Sequence, residues 1–416
     1  MEYVNKTDQA YYQALRKPMR IIKIKLEILD HWERAIGEIT NNIGADDVGT
    51  ININYQQGCR RSCSFSIIDR KKKYIPTKNS WFWYNRKFKI YLGVEGGDNI
   101  YWFPQGVFIT LSATARGRVI SIEGVDKFGF LNGDLNTRMC MVEYQAPVLY
   151  SQKGTKIVDL IKDTLMLDMG NNMPLDPVEP IIDGLFKNAI LYDDIVVAEG
   201  QYLGEIFTKL CDMYGANCYY DANGHLRFER VFNWNVPSYY RHMAPLYEFE
   251  NLNLTYSEAN LAFDFKGYNI VTVSTDNTIG EVYSYTAIND NPQSPVCVSS
   301  VGYKGNSTGT VEISLGDTEE WAFDTGDEKC RQYAEYLLLQ NTLMGMTISF
   351  EYPIIPHLDV NHTIEITCPE YNLDKQLFII QSLTIPIGLG TMNVEATNIQ
   401  WLPTDTDCAS IYNESR

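Results

Sequence analysis

Strict alternation of apolar and polar side chains dominates the first third of the chain. Between residues 62 and 67 serines alternate with Cys63, Phe65 and Ile67, and similar alternation recurs at 22–28, 51–55 and 87–90. Two further strand-like runs follow at 101–109 and 119–125. A period of two gives a β-strand one apolar face and one polar face. Turn signals at 96–99 and 116–118 separate the strands. Short strands at this spacing favour a barrel or sandwich over a βαβ fold.

The pattern changes to helical spacing in the middle of the chain. Residues 153–167 place Ile157, Leu160, Ile161 and Leu165 on one face, and residues 199–214 repeat this spacing. Directly afterwards, Asp-Ala-Asn-Gly at 221–224 lies between two alternating runs, which is a strong signal for a β-hairpin. The sequence therefore predicts an α+β insert that contains a helix-hairpin unit.

Strand patterns return after residue 250. They occur at 268–273, 283–287, 346–352, 363–367, 377–383 and 392–401, with a turn from Ile385 to Gly390 and one helix at 327–341. We therefore expect a β-rich α+β multidomain fold, with two β-barrel domains separated by the insert. The predicted divisions are an N-terminal arm (1–18), a first barrel (19–135), the α+β insert (136–250) and a second barrel with one helix (251–416).

Length and charge narrow the class of protein. A chain of 416 residues is long enough for about three domains, and its 45% hydrophobic content supports packed cores. The formal net charge of −17 should repel nucleic acid and anionic membranes, so it gives no support to a DNA-binding role. The basic run Arg70-Lys71-Lys72-Lys73 is interpreted as a solvated turn between strands.

Nine cysteines are scattered along the chain without a CxxC pair. Reduced, buried thiols in a protein made in a cytoplasm explain this distribution best. Cys59 and Cys63 lie four residues apart, but with only five histidines no second pair completes a zinc site. We expect neither a metal nor a cofactor.

No motif of a known catalytic type is present. The sequence lacks a glycine-rich phosphate loop, HExxH and GxSxG, and it contains only isolated histidines: His31, His225, His242, His357 and His362. The prediction is a protein that is not an enzyme, with no catalytic, cofactor-binding or metal residue and with its binding residues unknown. The polar N-terminus and the absence of a long apolar run predict a soluble product without membrane contact.

Three large aromatic residues, Trp81, Phe82 and Trp83, fall in the connection at 74–84. They are either a plug over the end of the first barrel or a patch that faces a partner. The plug is the favoured interpretation, because exposed aromatic loops reduce the solubility of a free subunit.

The order of these patterns resembles a known family, the tail hub of bacteriophages and related contractile injection machines. This family includes the baseplate hub proteins of T-even-type phages and the N-terminal hub portion of siphophage tail-associated proteins. The resemblance covers most of the chain, at 49–55, 60–69, 89–93, 102–109, 203–228, 267–273, 301–302, 327–341 and 378–388.

The resemblance implies a structural role in the virion tail, after synthesis in the bacterial host cytoplasm. It implies a trimer whose two barrels per chain form a pseudo-sixfold ring. A tail tube or distal tail protein is expected on one side, and a spike or tail-tip protein on the other. The tape measure protein is a further expected partner. DNA would pass through the channel without specific binding; the acidic charge either serves that passage or only keeps the protein soluble.

Two other functions stay open at this point. One is a tail-associated cell-wall hydrolase or endopeptidase, with its chemistry in the α+β insert. The other is a carbohydrate-binding adhesin, for which surface aromatics such as Trp81 and Trp83 are the motivation.

Overall fold

The structure is a computed structural model of the chain. The residues that it describes are 9–17, 20–40, 43, 49–55, 58–77, 80–83, 86–97, 99–132, 148–168, 173–191, 194–197, 201–214, 216–230, 247–249, 259–263, 268–274, 283–292, 296–303, 311–314, 330–331, 334–335, 337–338, 345–388 and 390–399.

The N-terminal part is built mainly of β-strands. Its elements are α1 (Gln9–Leu15), β1 (Ile22–Leu29), β2 (Ala35–Ile39), β3 (Gly49–Asn54), β4 (Arg61–Ile68), β5 (Lys87–Gly96), β6 (Asn99–Arg116), β7 (Val119–Asp126) and α2 (Phe128–Asn132). The alternation in the sequence matches the alternation of burial. Ile51 and Ile53 of β3 and Cys63, Phe65 and Ile67 of β4 are all buried in the core. Hydrophobic burial on one face thus fixes the register of each strand.

These strands pair antiparallel in the order β4-β7-β6-β5-β1-β2. Just after β2, an isolated bridge joins Ile43 to Ile67 of β4, which is the strand at the opposite end of this series. The bridge brings the two ends of the series together and supports closure of the first barrel, which stays a prediction.

The insert combines two helices with small sheets. Its elements are β8 (Val148–Ser151), α3 (Ile157–Leu165), β9 (Ile181–Ile182), β10 (Ile195–Val197), α4 (Gly204–Tyr214), β11 (Ala216–Tyr220) and β12 (Leu226–Arg230). The predicted helix-hairpin unit is confirmed, since β11 and β12 pair antiparallel directly after α4. A second hydrophobic core contains the buried faces of α3, α4 and the hairpin, and it also includes Ile109 and Phe128 from the N-terminal part.

The C-terminal part is again rich in strands. Its elements are β13 (Tyr247–Phe249), β14 (Asn260–Phe263), β15 (Ile270–Ser274), β16 (Ser284–Ile288), α5 (Val298–Val301), β17 (Val311–Ser314), β18 (Gly345–Pro353), β19 (Thr363–Cys368), β20 (Leu373–Ile387) and β21 (Thr391–Ile399). Strands β15, β16 and β17 form a separate small sheet. The six described positions of the helix predicted at 327–341 are helical, and its other residues lie outside the described part of the chain.

One long strand joins the two β-rich parts. The first half of β20 pairs with β19, whereas Ser382–Ile387 at its other end pair antiparallel with Asn54–Gly49 of β3. Among the described residues this pairing gives one sheet of thirteen strands, and a single hydrophobic core lies along it. The fold is therefore β-rich, as predicted, and its two β regions are continuous.

The predicted turn from Ile385 to Gly390 is shorter in the structure. Strand β20 continues to Ile387 because β3 supplies a partner for residues 385–387. The chain then turns at Gly388 and Gly390, whose φ angles of 137° and 143° suit glycine. None of the described helices is long and apolar enough to cross a membrane.

Candidate functional site: a buried polar junction

Two consecutive arginines at the start of β4 are almost completely buried. Arg60 is 3% exposed and Arg61 is 2% exposed. The buried carboxylate of Asp126, at the end of β7, accepts hydrogen bonds from both of their backbone N–H groups, at 2.8 and 2.9 Å. Its other oxygen accepts the backbone N–H of Phe128 at 2.9 Å. Asp126 therefore holds the start of β4 and the start of α2 in one arrangement.

The environment of Asp126 has opposing effects on its acidity. Burial raises the pKa of this carboxyl group, and the hydrogen bonds from the backbone N–H groups of residues 60, 61 and 128 act in the opposite direction. Such bonds satisfy the oxygens that burial removes from water, which is the condition for keeping a polar group inside a protein.

The side chain of Arg60 points toward the insert. Its guanidinium carbon lies 3.3 Å from the ring centre of Tyr219 on β11 and 4.7 Å from that of Tyr55. The hydroxyl of Tyr55 in turn accepts a hydrogen bond from the Asn217 amide at 3.0 Å. A cation between two aromatic rings is stabilised by their quadrupoles, more so when it is desolvated. Arg60 thus attaches the N-terminal part to the insert.

The side chain of Arg61 points toward the C-terminal part. It forms an ion pair with Asp359 at 2.5 Å and donates a hydrogen bond to the backbone oxygen of Gln105 at 2.9 Å. The amide of Gln105 donates to the backbone oxygen of Pro356 at 2.9 Å. The backbone N–H of Asp359 donates to Nδ1 of His362 at 3.0 Å. The buried junction, defined as Arg60, Arg61, Asp126, Tyr219 and Asp359, therefore connects all three parts of the chain.

A second buried group of charges lies between the N-terminal part and the insert. Lys127 Nζ lies 2.6 Å from Glu33 Oε1 and 2.9 Å from Asp176 Oδ2, and Lys87 Nζ lies 2.8 Å from the same oxygen of Glu33. Both lysine side chains are 1% exposed. We call these four residues the lysine cluster.

Burial and neighbouring charges shift the pKa values of two members of the lysine cluster, Lys87 and Asp176. Burial lowers the pKa of Lys87, and the positive charge of Lys127 lowers it further. Burial alone would raise the pKa of Asp176, but the charges of Lys127 and Lys87 bring it below its ordinary value. Two ammonium and two carboxylate groups balance in charge, and substrate has no access to lysines that are buried to this degree. Their arrangement is that of a structural ion-pair network.

The N-terminal helix α1 also contacts the C-terminal part. The buried hydroxyl of Tyr11 forms a hydrogen bond with Nδ1 of His357 at 2.6 Å. The ring of Tyr11 lies against Phe103 of β6, with 5.2 Å between ring centres. Arg20 donates to the backbone oxygens of Pro353 and Ile354, at 3.1 and 2.9 Å. The arm predicted at 1–18 is thus packed against the rest of the protein over its described residues.

Part of the aromatic loop packs against the core, through Phe82 and the partly buried Trp81. This packing supports the plug interpretation, which stays a prediction. Phe82 is 1% exposed and contacts the rings of Phe65 and Phe88 edge-on. Trp81 occupies the room that a side chain at Gly37 would need, since a Cβ there would lie 2.4 Å from the indole ring. Trp81 and Trp83 are half-buried.

In the part of the chain that the structure describes, the isolated histidines and cysteines do not form a metal-binding cluster. No group of three His, Cys, Asp or Glu side chains in the described part of the chain is placed to hold a metal ion. Of the seven cysteines that the structure describes, all are free thiols and six are buried, as predicted. His31 contacts the backbone oxygen of Pro174, and burial lowers its pKa. His242 lies outside the described residues.

None of the junction residues can be recognised as buried or functional from the sequence alone. Arg60 and Arg61 are part of a motif that resembles the tail hub family, but nothing in their order shows that they are buried. The sequence does show two charged residues directly before an alternating strand. The same pattern, however, is expected for a solvated turn. Only the partners Tyr219 and Asp359, more than 150 residues away, distinguish the two cases.

Known protein families and curated proteins match little of this sequence. The model of a domain of unknown function (DUF5048) matches residues 311–404, which is too small a share of the chain to establish a family. No curated protein matches the sequence.

Solved structures match over almost the whole chain. A tail protein from Neisseria meningitidis MC58 has a TM-score of 0.54 at 12% sequence identity, and the match covers 91% of this chain and 97% of that one. The 43 kDa tail protein of prophage MuSo2 from Shewanella oneidensis has a TM-score of 0.51 at 12% identity, covering 91% and 98%. The chain has the fold of phage tail proteins. The resemblance predicted from the sequence is thus confirmed for the fold.

A third solved structure also shares the fold over most of this chain. A chain in the Francisella PdpA–VgrG complex, in its half-lidded form, matches with a TM-score of 0.52 at 9% identity. The match covers 96% of the present chain and 62% of the Francisella chain. At these identities the likeness defines the fold, and the activity of each relative remains its own.

Proposed function

We propose that this chain is a structural tail hub protein of a bacteriophage-type tail. In this proposal three copies form a ring that joins the tail tube to the tail tip or spike and leaves a channel for DNA ejection. The protein acts by assembly and carries out no catalysis.

The observation that carries the proposal is the extent of the likeness to the two tail proteins. More than nine tenths of this chain aligns with almost the full length of both of them. This chain therefore shares with both proteins the fold of the whole chain, and not only the fold of one common domain. Fold alone does not establish function, so the proposal needs support from the residues themselves.

The buried contacts between parts of the chain support a role in assembly. The junction, the lysine cluster and the pairing of β3 with β20 hold distant segments in one arrangement. Buried polar groups contribute little net stability compared with apolar residues, but they require specific partners. A subunit that must present fixed surfaces to several neighbours benefits from this specificity.

The proposed partners are the tail tube or a distal tail protein, the spike or tail-tip protein, and the tape measure protein. The location is the virion tail, after synthesis in the host cytoplasm. The formal net charge of −17 suits a channel that DNA crosses without binding, since basic side chains would retain phosphates.

The purified full-length chain provides the test. Sedimentation velocity and electron microscopy should show a closed trimer with a central opening. A protein that stays monomeric over the whole accessible concentration range would contradict the proposed ring.

The two rival functions have tests of their own. Clearing of peptidoglycan in a zymogram by the purified protein would favour a cell-wall hydrolase. Saturable binding to a defined glycan on an array would favour an adhesin. We expect neither result.

A further inference from the structure

Two stretches of the N-terminal part contain basic residues but no acidic ones. No acidic residue occurs between Asp69 and Glu95, although eight lysines and arginines lie in this interval. Likewise no acidic residue occurs between Asp98 and Glu123. Such segregation is unexpected in a chain with 52 acidic and 35 basic residues. The loops that these segments form are therefore locally basic on an acidic protein.

Two neighbouring loops bring six of the positive charges together. One loop follows β4 and the other is the turn between β6 and β7; β7 pairs with both strands. The backbone N–H of Asp69 in the first loop donates to the backbone oxygen of Arg118 in the second, at 2.7 Å. All six side chains are exposed. The basic patch consists of Arg70, Lys71, Lys72, Lys73, Arg116 and Arg118.

The backbone of the basic patch is held in place. The nearly buried carboxylate of Asp69 accepts hydrogen bonds from the backbone N–H groups of Lys73 and Tyr74, at 2.9 and 2.6 Å. Lys73 Nζ lies 4.2 Å from the ring centre of Trp81, which is itself packed over Gly37. A loop that is ordered before binding loses less conformational entropy when a partner arrives. A solvated turn needs none of these contacts.

The patch contrasts with the rest of the molecule. Without its six charges the formal net charge of −17 would be −23. Another copy of the same chain is therefore a strongly acidic partner. Two such chains repel at long range, and a local contact between the basic patch of one and an acidic surface of the next offsets this repulsion.

We propose that the basic patch docks onto an acidic surface of a second copy of this chain. The two surfaces differ, so the contact is head-to-tail, and head-to-tail contacts close into rings when the rotation between copies permits. This inference rests on the proposed ring and names the surface that forms it. Duplex DNA is the other polyanion that such a patch attracts, and the experiment separates the two.

The experiment compares two charge reversals in the full-length chain. The test variant carries Lys71→Glu and Arg118→Glu, one change in each loop of the patch. The control carries Lys156→Glu and Lys187→Glu, two exposed lysines of the insert. Both variants change the net charge equally, and unchanged far-UV circular dichroism and melting temperature show that both keep the fold.

Sedimentation velocity over a range of protein and salt concentrations provides the measurement. We expect the patch variant to self-associate about tenfold more weakly than the wild type. The control should differ little from the wild type. Association of the wild type should also weaken with salt, because screening acts over about 10 Å at 0.1 M ionic strength.

The possible failures are distinguishable. If wild type and patch variant self-associate equally, the docking surface is wrong and the ring proposal stands. If the wild type is monomeric at every concentration and salt tested, both proposals are wrong. Fluorescence polarisation tests binding of duplex DNA. If the wild type binds DNA, and the patch variant loses this binding but self-associates as before, the patch binds nucleic acid and the second-copy proposal is overturned.

Discussion

The ion pair between Arg61 and Asp359 offers the sharpest test of the buried junction. Replacing Asp359 with asparagine removes the negative charge but keeps an oxygen that can accept the backbone N–H of Val360. The side chain of Arg61 is 2% exposed, so water cannot take the place of the lost charge. Removing one partner of a buried pair leaves an uncompensated charge and costs about 3–5 kcal/mol.

That loss is large for a folded protein, whose free energy of unfolding is typically about 5–15 kcal/mol. Urea denaturation followed by tryptophan fluorescence and far-UV circular dichroism measures it. The double variant Arg61→Met/Asp359→Leu should recover most of the loss, because an apolar pair of similar volume buries no unpaired charge. The exposed pair Lys162–Glu179 has a similar distance of 2.7 Å, and Glu179→Gln should leave the unfolding transition essentially unchanged.

Two results would refute this reasoning. One is a cost of less than about 1 kcal/mol for Asp359→Asn, which is the value of a solvated ion pair. The other is a double variant as unstable as the single variant, which would mean that packing at this point, and not the unpaired charge, determines the loss.

Two further predictions concern the core and the lysine cluster. Phe82→Ala should lower the free energy of unfolding by about 3–5 kcal/mol because it opens a cavity beside Phe65, whereas the half-buried Trp83 should tolerate alanine better; urea titrations with equal losses would contradict the plug. The folded pKa of Asp176 is depressed, so its stabilisation is present above its ordinary pKa of 3.8 and is lost as pH falls below it. Asp176→Asn should therefore lower the free energy of unfolding at neutral pH and make it depend less on pH in the acidic range. If the dependence on acidic pH stays the same, Asp176 is not the group that causes it.

The strands and the hairpin were predictable because their causes are local. The alternation through Cys63, Phe65 and Ile67 defines a strand whichever strand it pairs with, and Asn223-Gly224 permits a tight turn without help from the rest of the chain. The spacing of apolar residues predicts that helix α4 begins at residue 199, yet residues 201–203 are not helical. Local spacing of apolar residues defines the existence of a helix better than its first residue.

The partners of these elements were decided only by the tertiary structure. The sequence indicated two β regions, but the pairing of Ile385 with Ile51 makes them one sheet, and it extends β20 through a predicted turn. Arg60 and Arg61 are buried because Tyr219 and Asp359 reach them from distant segments. Periodicity records which side of an element is apolar, whereas the identity of its neighbour depends on long-range packing. Local sequence thus determined the elements of this protein, and three-dimensional packing determined its sheet order, its buried charges and its basic patch.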